Sequence, residues 1–277
     1  AAAGAKLSGH VGLGTALLTS KEKLLRLMDA GADYSLAAEK PDREMVAEVG
    51  PAADIYSGEI DLWLFRALRV VLQERRPEVV YCATTDYVMH KYPPQAEQSL
   101  RHLEGLDALL GQILDDDPER QVYLTADHGM SAKARGLDLE KVLAVQGIQA
   151  RAIPIIKDRY VAHHSNLGGA SYVYLARPEQ VAEAASLLRE QRGVEAAYER
   201  AVAAHEFQLM EERIGDLFVL GDADTVFGEF DGPEAAVEVR SHGSRHESAV
   251  PIVASVRPAW EYGRNYEVGA GVRANSL

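Results

Sequence analysis

Three short stretches bring together acids and imidazoles of the kind that hold a metal ion. Residues 121–130 read Gln-Val-Tyr-Leu-Thr-Ala-Asp127-His128-Gly129-Met130. The stretch opens as an apolar, β-branched and aromatic run, the composition of a buried strand, and closes on an acid, an imidazole and a glycine. A strand ending in Asp-His puts two metal-competent groups where open α/β sheets bind ligands. Asp86 and His90 stand four residues apart, so one helical turn over 86–90 would set both on one face. His242 lies in a Ser-His-Gly turn, with His246 and Glu247 close behind. An Asp/His donor set suits a borderline cation such as Zn²⁺. Groups from three strand ends are enough for two ions, as in hydrolases whose metals sit about 3.5–4 Å apart and stabilise both attacking and leaving oxygens. Each element also has a plainer reading. Asp86 could cap the turn that follows it, Asp127-His128 could be a hydrogen-bonded loop pair, and His242 could be a surface or core histidine. The recurrence of the pattern after three strand-like segments favours the metal.

The elements that must position these groups alternate. Residues 13–19 read as a strand, with Ser20 as N-cap of a helix from Lys21 to Leu27. Residues 29–42 look like a loop. Leu64, Phe65, Leu68, Val71 and Leu72 fall on one face of a helix over 59–76, closed by Arg75-Arg76-Pro77. Residues 78–84 form a second strand, Pro93-Pro94 opens a helix to about Leu114, and 121–126 form a third strand. Strand, helix, strand, helix, strand is the order of a parallel sheet wound with helices. After Met130 the texture changes. A helix over about 137–146, strands at 153–156, 171–175, 194–198 and 216–220, and helices over 178–191 and 202–207 predict an inserted α+β cap. The expected organisation is a metal-binding α/β core over 1–130, a cap over 131–240 and a return to the core over 241–277, with a last strand at 251–255.

Composition limits the partners. The chain has 277 residues with 29 Lys+Arg against 42 Asp+Glu, a net charge of −13. Nucleic acid is therefore excluded as a partner, because phosphate-backbone binding needs a basic face. An anionic small molecule remains compatible, provided that metal ions or local lysines set the field at the site. Cys82 is the single cysteine, which rules out an internal disulfide and a cysteine-based zinc site and fits a reducing, cytoplasmic setting. No apolar run is long enough to span a membrane, and the first residues lack the pattern of a signal peptide.

Thr84-Thr85-Asp86-Tyr87 with His90-Lys91, then Thr125-Ala126-Asp127-His128-Gly129-Met130, then Arg240-Ser241-His242-Gly243, together resemble the alkaline phosphatase superfamily. Within it the match is to the phosphonoacetate hydrolase branch. Thr19-Ser20-Lys21-Glu22-Lys23-Leu24, Glu39-Lys40-Pro41-Asp42 and Arg213-Ile214-Gly215-Asp216-Leu217 support that branch. The resemblance runs from about residue 13 to the end. It implies an alkaline-phosphatase-like core with a wound, mostly parallel sheet, two zinc ions, and cleavage of the C–P bond of phosphonoacetate to acetate and phosphate. Asp86, His90 and His242 would bind the first zinc, and Asp127 and His128 the second. Lys21 and Lys23 would lie near the substrate carboxylate. Their plainer reading is a solvated first helical turn, where cations oppose the helix dipole, and residues two apart on a regular helix do not face the same way.

In this branch the second zinc is completed by an N-terminal Asp and by a Thr nucleophile, which forms a phospho-enzyme. Neither has a match here. Thr15, Thr19, Thr84, Thr85 and Thr125 lie in or beside strands and motif turns, and no catalytic nucleophile is assigned. The expectation is an N-terminally incomplete chain with a whole first zinc site, a half-built second one and negligible activity of its own. The rivals are a phosphodiesterase or nucleotide pyrophosphatase on the same scaffold and a non-catalytic zinc-binding relative. The expected partner is a small-molecule phosphonate, without nucleic acid or membrane. A homodimer is compatible with these expectations.

Overall fold

The computed structural model describes residues 14–23, 32–257, 263–265 and 267–268. The chain folds into two compact units, one of residues 1–127 with 251–277 and the other of residues 128–250.

The first unit is built on β1 (Thr15–Thr19), whose five residues are all buried. It lies at the centre of a three-stranded sheet with β2 (Tyr34–Ala37) and β3 (Val79–Ala83), and both neighbours run parallel to it. Thr-Ala-Leu-Leu-Thr is a continuous small and apolar run, as a strand covered on both faces requires. A short helix, α1 (Arg43–Val49), follows, with Asp42 Oδ1 accepting the Met45 N–H at 2.7 Å. The long helix α2 (Glu59–Glu74) then buries Ile60, Trp63, Leu64, Ala67, Leu68 and Val71 in one cluster with Ala16, Leu18 and Leu36. Fully burying side chains of this size stabilises by about 1.5–3 kcal/mol each. The helix ends as the sequence predicts, at Arg75, with Arg76 at φ 46° before Pro77. Helix α3 (Tyr87–Lys91) is a single turn, and α4 (Glu97–Asp116) adds Ile113 to the same core. Pro93-Pro94 form a turn ahead of α4 rather than its first turn.

β4 (Tyr123–Thr125) corrects one expectation. It is not a buried member of the parallel sheet: Leu124 is 44% exposed. Among the described residues it belongs to a separate two-stranded antiparallel sheet whose second strand is the last one described. Among the described residues β4 has one antiparallel partner, and apolar composition alone does not say which strands will be neighbours. β2 was also unexpected: it falls at Tyr34–Ala37, inside the loop read over 29–42, and α1 follows directly after that loop. The helix predicted from Lys21 to Leu27 lies outside the described residues from Leu24 onward.

The second unit starts with β5 (Ser131–Leu137) and α5 (Leu139–Val145), the latter capped by Asp138. β6 (Ala150–Pro154), α6 (Val161–His164), β7 (Ala170–Leu175), α7 (Val181–Glu190), β8 (Val194–Glu199), α8 (Arg200–Phe207), β9 (Leu217–Gly221), β10 (Thr225–Phe227) and β11 (Glu234–Ser241) follow. Strands β6-β7-β9-β8 form an antiparallel sheet, and β10-β5-β11 form a smaller mixed one. Ala184, Ala185 and Leu188 of α7 pack with Val173, Leu217 and Val219. Ala203 of α8 joins a second cluster with Phe218 and Leu220. β12 (Ile252–Ala254) returns to the first unit and pairs with β4, Val253 opposite Leu124.

The fold is thus mixed α/β. Among the described residues the expected wound, mostly parallel sheet is replaced by four sheets, with parallel pairing only in the β2-β1-β3 sheet and between β5 and β10. No described helix is long and apolar enough to cross a membrane.

Candidate metal centre

In the first unit the ligand-type residues follow β3. Asp86 takes the N-cap position of α3, yet its side chain makes no capping hydrogen bond. It turns instead toward His90, with Oδ2 3.1 Å from Nε2, and toward Lys21, with Oδ1 3.4 Å from Nζ. The capping role that could have explained this acid is therefore not what its carboxylate does. His90 has its side chain wholly buried and Asp86 is 27% exposed, so the pair is shielded on the imidazole side and open on the other. Two ligand atoms on a tetrahedral zinc with bonds of 2.0–2.1 Å stand about 3.3 Å apart. The observed 3.1 Å is close to that spacing, and the donor types fit the ion.

A residue that the sequence reading did not single out organises this corner. Asp61 on α2 is completely buried. Its Oδ1 accepts the Ser20 hydroxyl at 2.7 Å and the Thr85 N–H at 2.8 Å. One carboxylate thereby ties the turn that starts Lys21 to the turn that starts Asp86. Burial pushes the Asp61 carboxyl up to about 7, against the bonds from Thr85 and Ser20, which pull it down. Its Oδ2 has no hydrogen-bond partner among the described residues, and His102 Nε2 lies 3.6 Å away. Burial likewise holds the His102 imidazole below its ordinary value. The clue was present in the sequence: Asp61 falls on the Leu64–Phe65–Leu68 stripe, an acid inside an apolar face.

Lys21 is mostly buried, and Lys23 is exposed. The turn between them is tied down by Glu39, whose Oε2 accepts the Glu22 N–H at 2.9 Å. Asp127 is exposed, two residues beyond the end of β4. After burial itself, its charge is what pushes the Tyr81 phenol up, which locates it beside β3. Of the threonines, Thr84 is exposed. Thr15, Thr19 and Thr85 are buried, and Thr125 Oγ1 bonds to Pro251 O and Asn265 Oδ1 at 3.0 and 2.8 Å.

In the second unit the Ser-His-Gly motif has a local explanation for each member. Ser241 is buried, and its hydroxyl donates to Leu167 O at 2.6 Å. Gly243 has φ 106°, and a Cβ there would stand 2.3 Å from Ile155 Cδ1, so only glycine fits. His242 between them has its carbonyl taken by the Gly169 N–H at 2.8 Å. His128 stacks on His242, with ring centroids 3.4 Å apart and planes 7° from parallel. His128 Nδ1 is 3.0 Å from Gly129 O. A carbonyl only accepts, so Nδ1 is the donor in this contact, the arrangement in which Nε2 is the coordinating nitrogen when a histidine binds a metal. His246 and Glu247 are not drawn into this pairing: His246 bonds Glu195 at 2.6 Å, and Glu247 is buried among Ser131, Lys133 and Ser244. His163 and His164 are buried on α6, with His164 Nε2 3.1 Å from Asp158 Oδ1, a structural placement.

Asp86, His128 and His242 each offer a ligand atom of the kind a metal site uses. Two solved structures of phosphonoacetate hydrolase from Sinorhizobium meliloti 1021 are similar to this chain. The complex with phosphonoformate matches at 28% identity over 97% of this chain and 73% of that one, with a TM-score of 0.86. The complex with phosphonoacetate matches over the same shares with a TM-score of 0.84. Murine ectonucleotide pyrophosphatase / phosphodiesterase 5 shares the fold at 12% identity and a TM-score of 0.59, over 89% of this chain and 61% of that one. The model of the type I phosphodiesterase / nucleotide pyrophosphatase family matches residues 39–248. With that match over most of its length, the chain belongs to the type I phosphodiesterase / nucleotide pyrophosphatase family of the metal-dependent alkaline phosphatase superfamily.

Proposed function

We propose that the protein is a zinc-dependent hydrolase of phosphonoacetate, cleaving its C–P bond to give acetate and phosphate. Asp86, His90 and His242 hold a first zinc, and Asp127 and His128 contribute to a second. Lys21 and Lys23 face the substrate carboxylate. The observation that carries this reading is the Asp86 carboxylate, which declines its capping role and lies between an imidazole and an ammonium group. An acid and an imidazole at ligand spacing, with a cation beside them, suit an anionic substrate bound at a metal. The similarity to structures holding phosphonoacetate and phosphonoformate supports the substrate class. The ions would supply Lewis-acid polarisation and charge neutralisation at the phosphonate oxygens.

The chain's own residues account for the rest. Over the whole reaction one water is consumed, its oxygen ending on phosphorus and a proton on carbon; as the C–P bond breaks, its electron pair passes to the methylene carbon and is shared with the adjacent carboxylate. An ammonium beside that carboxylate gains strength as the charge builds, so it favours the transition state over the bound substrate. The Asp61 carboxylate holds the Lys21 and Asp86 turns in register. No residue of this chain is assigned as the nucleophile. That leaves room for a non-catalytic zinc-binding relative, while the family match keeps a phosphodiester substrate as the second reading.

The test is calorimetric titration of the zinc-loaded protein with phosphonoacetate, with ethylphosphonate, which lacks the carboxylate, and with a nucleoside phosphodiester. The expected result is binding of phosphonoacetate at least about tenfold tighter than of ethylphosphonate, a gap of about 1.4 kcal/mol, abolished by Lys21→Ala. Equal affinities would overturn carboxylate recognition, and a preference for the diester would favour the second reading. Zinc content by mass spectrometry, reduced in Asp86→Asn, checks the metal independently.

A further inference from the structure

The second unit contains a buried ion pair that the proposed chemistry does not use. Lys133 Nζ and Glu247 Oε1 are 2.9 Å apart, with side chains 0% and 1% exposed. Oε1 also accepts the Ser131 hydroxyl at 2.5 Å, while Oε2 accepts the Ser244 N–H at 2.9 Å and its hydroxyl at 2.7 Å. Lys133 donates further to Ala223 O at 2.8 Å. The Glu247 carbonyl accepts the Gly129 N–H at 2.6 Å. Among the described residues these bonds of the glutamate fall on two segments. One begins immediately after His128, at Gly129 and Ser131. The other begins just after His242, at Ser244.

Stability alone is a poor reason for such a pair. A buried ion pair is often no more stabilising than apolar residues of the same volume, and it persists where it specifies geometry. Gly129 shows how tight the geometry is, since a Cβ there would meet Glu247 O at 3.3 Å. We propose that Glu247, neutralised by Lys133, is the positioning residue that holds the His128 and His242 turns together and so sets the parallel stack of their rings. Its link to metal binding rests on the zinc reading above. The stack itself does not.

The experiment uses the full chain and two readouts. Zinc affinity is measured by competition with a chromophoric chelator. The ring-current shifts of the His128 and His242 carbon-bound protons are measured by NMR on zinc-free protein. Glu247→Ala combined with Lys133→Met severs the strut without orphaning a buried cation. It should weaken zinc binding at least about tenfold, the usual consequence of losing a residue that orients a ligand, and move both histidines' resonances. Glu247→Gln combined with Lys133→Met keeps the shape and the bonds to the serines, and should restore both readouts. If the alanine variant does not fold, Ser131→Ala with Ser244→Ala cuts the tethers and leaves the ion pair. Loss of about threefold or more in affinity, with shifted ring resonances, supports the strut. Wild-type affinity and unmoved resonances in the severed variants would overturn it. Absence of zinc binding by the wild-type protein would refute the metal reading and leave the ring shifts to decide the strut.

Discussion

The two units solve the same problem in opposite ways. Each must hold two turns so that ligand-type side chains meet. In the first, a buried acid without a buried lysine or arginine against it does this: Asp61 bonds Ser20 and Thr85, and its second oxygen has no hydrogen-bond partner among the described residues. In the second, an acid with a buried counter-ion does it, with Glu247 against Lys133. Desolvation dominates where the charge is uncompensated, and Asp61 is pushed up to about 7. Burial also pushes Glu247 up, but the bonds from Ser131, Lys133 and Ser244 outweigh it and hold the carboxyl below its ordinary value of 4.5. Burial alone therefore does not tell which way a carboxyl shifts; the number and charge of its donors do.

The sharpest way to break the contrast is to remove the counter-ion. Lys133→Met leaves Glu247 buried and unpaired and should destabilise by about 3–5 kcal/mol in urea unfolding. Adding Glu247→Gln should recover most of that loss. A Lys133→Met protein as stable as wild type would show that the second unit tolerates a buried acid without a buried lysine or arginine against it, as the first does.

The pH responses should have opposite signs. Asp61 has a folded pKa above its ordinary value of 3.8, so the folded state binds the extra proton between the two values. Its contribution is fully present below about 3.8 and is lost as pH rises through about 7. The difference between 3.8 and about 7 corresponds to about 4 kcal/mol. Asp61→Asn, which can still accept from Ser20 and Thr85, should be more stable than wild type at pH 8 and lose the advantage toward pH 4. Glu247 behaves in reverse: its depressed value contributes stability above 4.5 that is lost as pH falls through the folded value. Glu247→Gln should flatten that acid limb. Parallel unfolding curves for wild type and both variants across pH 3–8 would refute the comparison.

Two smaller effects sharpen it. Gly243→Ala forces a side chain onto a φ of 106° and against Ile155. It should cost about 1–3 kcal/mol and disturb the resonances of His242, with no effect on the Asp86–His90 pair. Asp42→Ala removes the cap of α1 and a long, exposed bond from the Tyr34 hydroxyl and should cost about 1 kcal/mol by thermal unfolding, while leaving zinc content unchanged.

Most helices and the strand before Asp86 were legible because their signals are local. The α2 stripe, the Ser20 and Asp86 turns, and the end of α2 at Arg76-Pro77 each need only neighbours in sequence. β5 and β11 were not legible: Ser-Ala-Lys-Ala-Arg-Gly-Leu and Glu-Ala-Ala-Val-Glu-Val-Arg-Ser carry charges that make them look like loop. They become strands by pairing with each other, Ser131 opposite Ser241 and Leu137 opposite Glu234. The exposure of β4 was missed for the converse reason, since its apolar run says nothing about having one partner, β12, from the far end of the chain.

The sequence by itself determined the family motifs, the donor chemistry of Asp86, His90, Asp127, His128 and His242, and the helical turn that sets Asp86 against His90. These depend on residue type and on spacings of a few residues. Only the tertiary structure decided what holds the motifs in place. It sent the Asp86 carboxylate away from its cap, buried Asp61 between two strand-end turns, and joined Lys133 to Glu247, 114 residues apart. Desolvation and long-range pairing depend on which segments are packed against one another, and no local pattern in the chain carries that information.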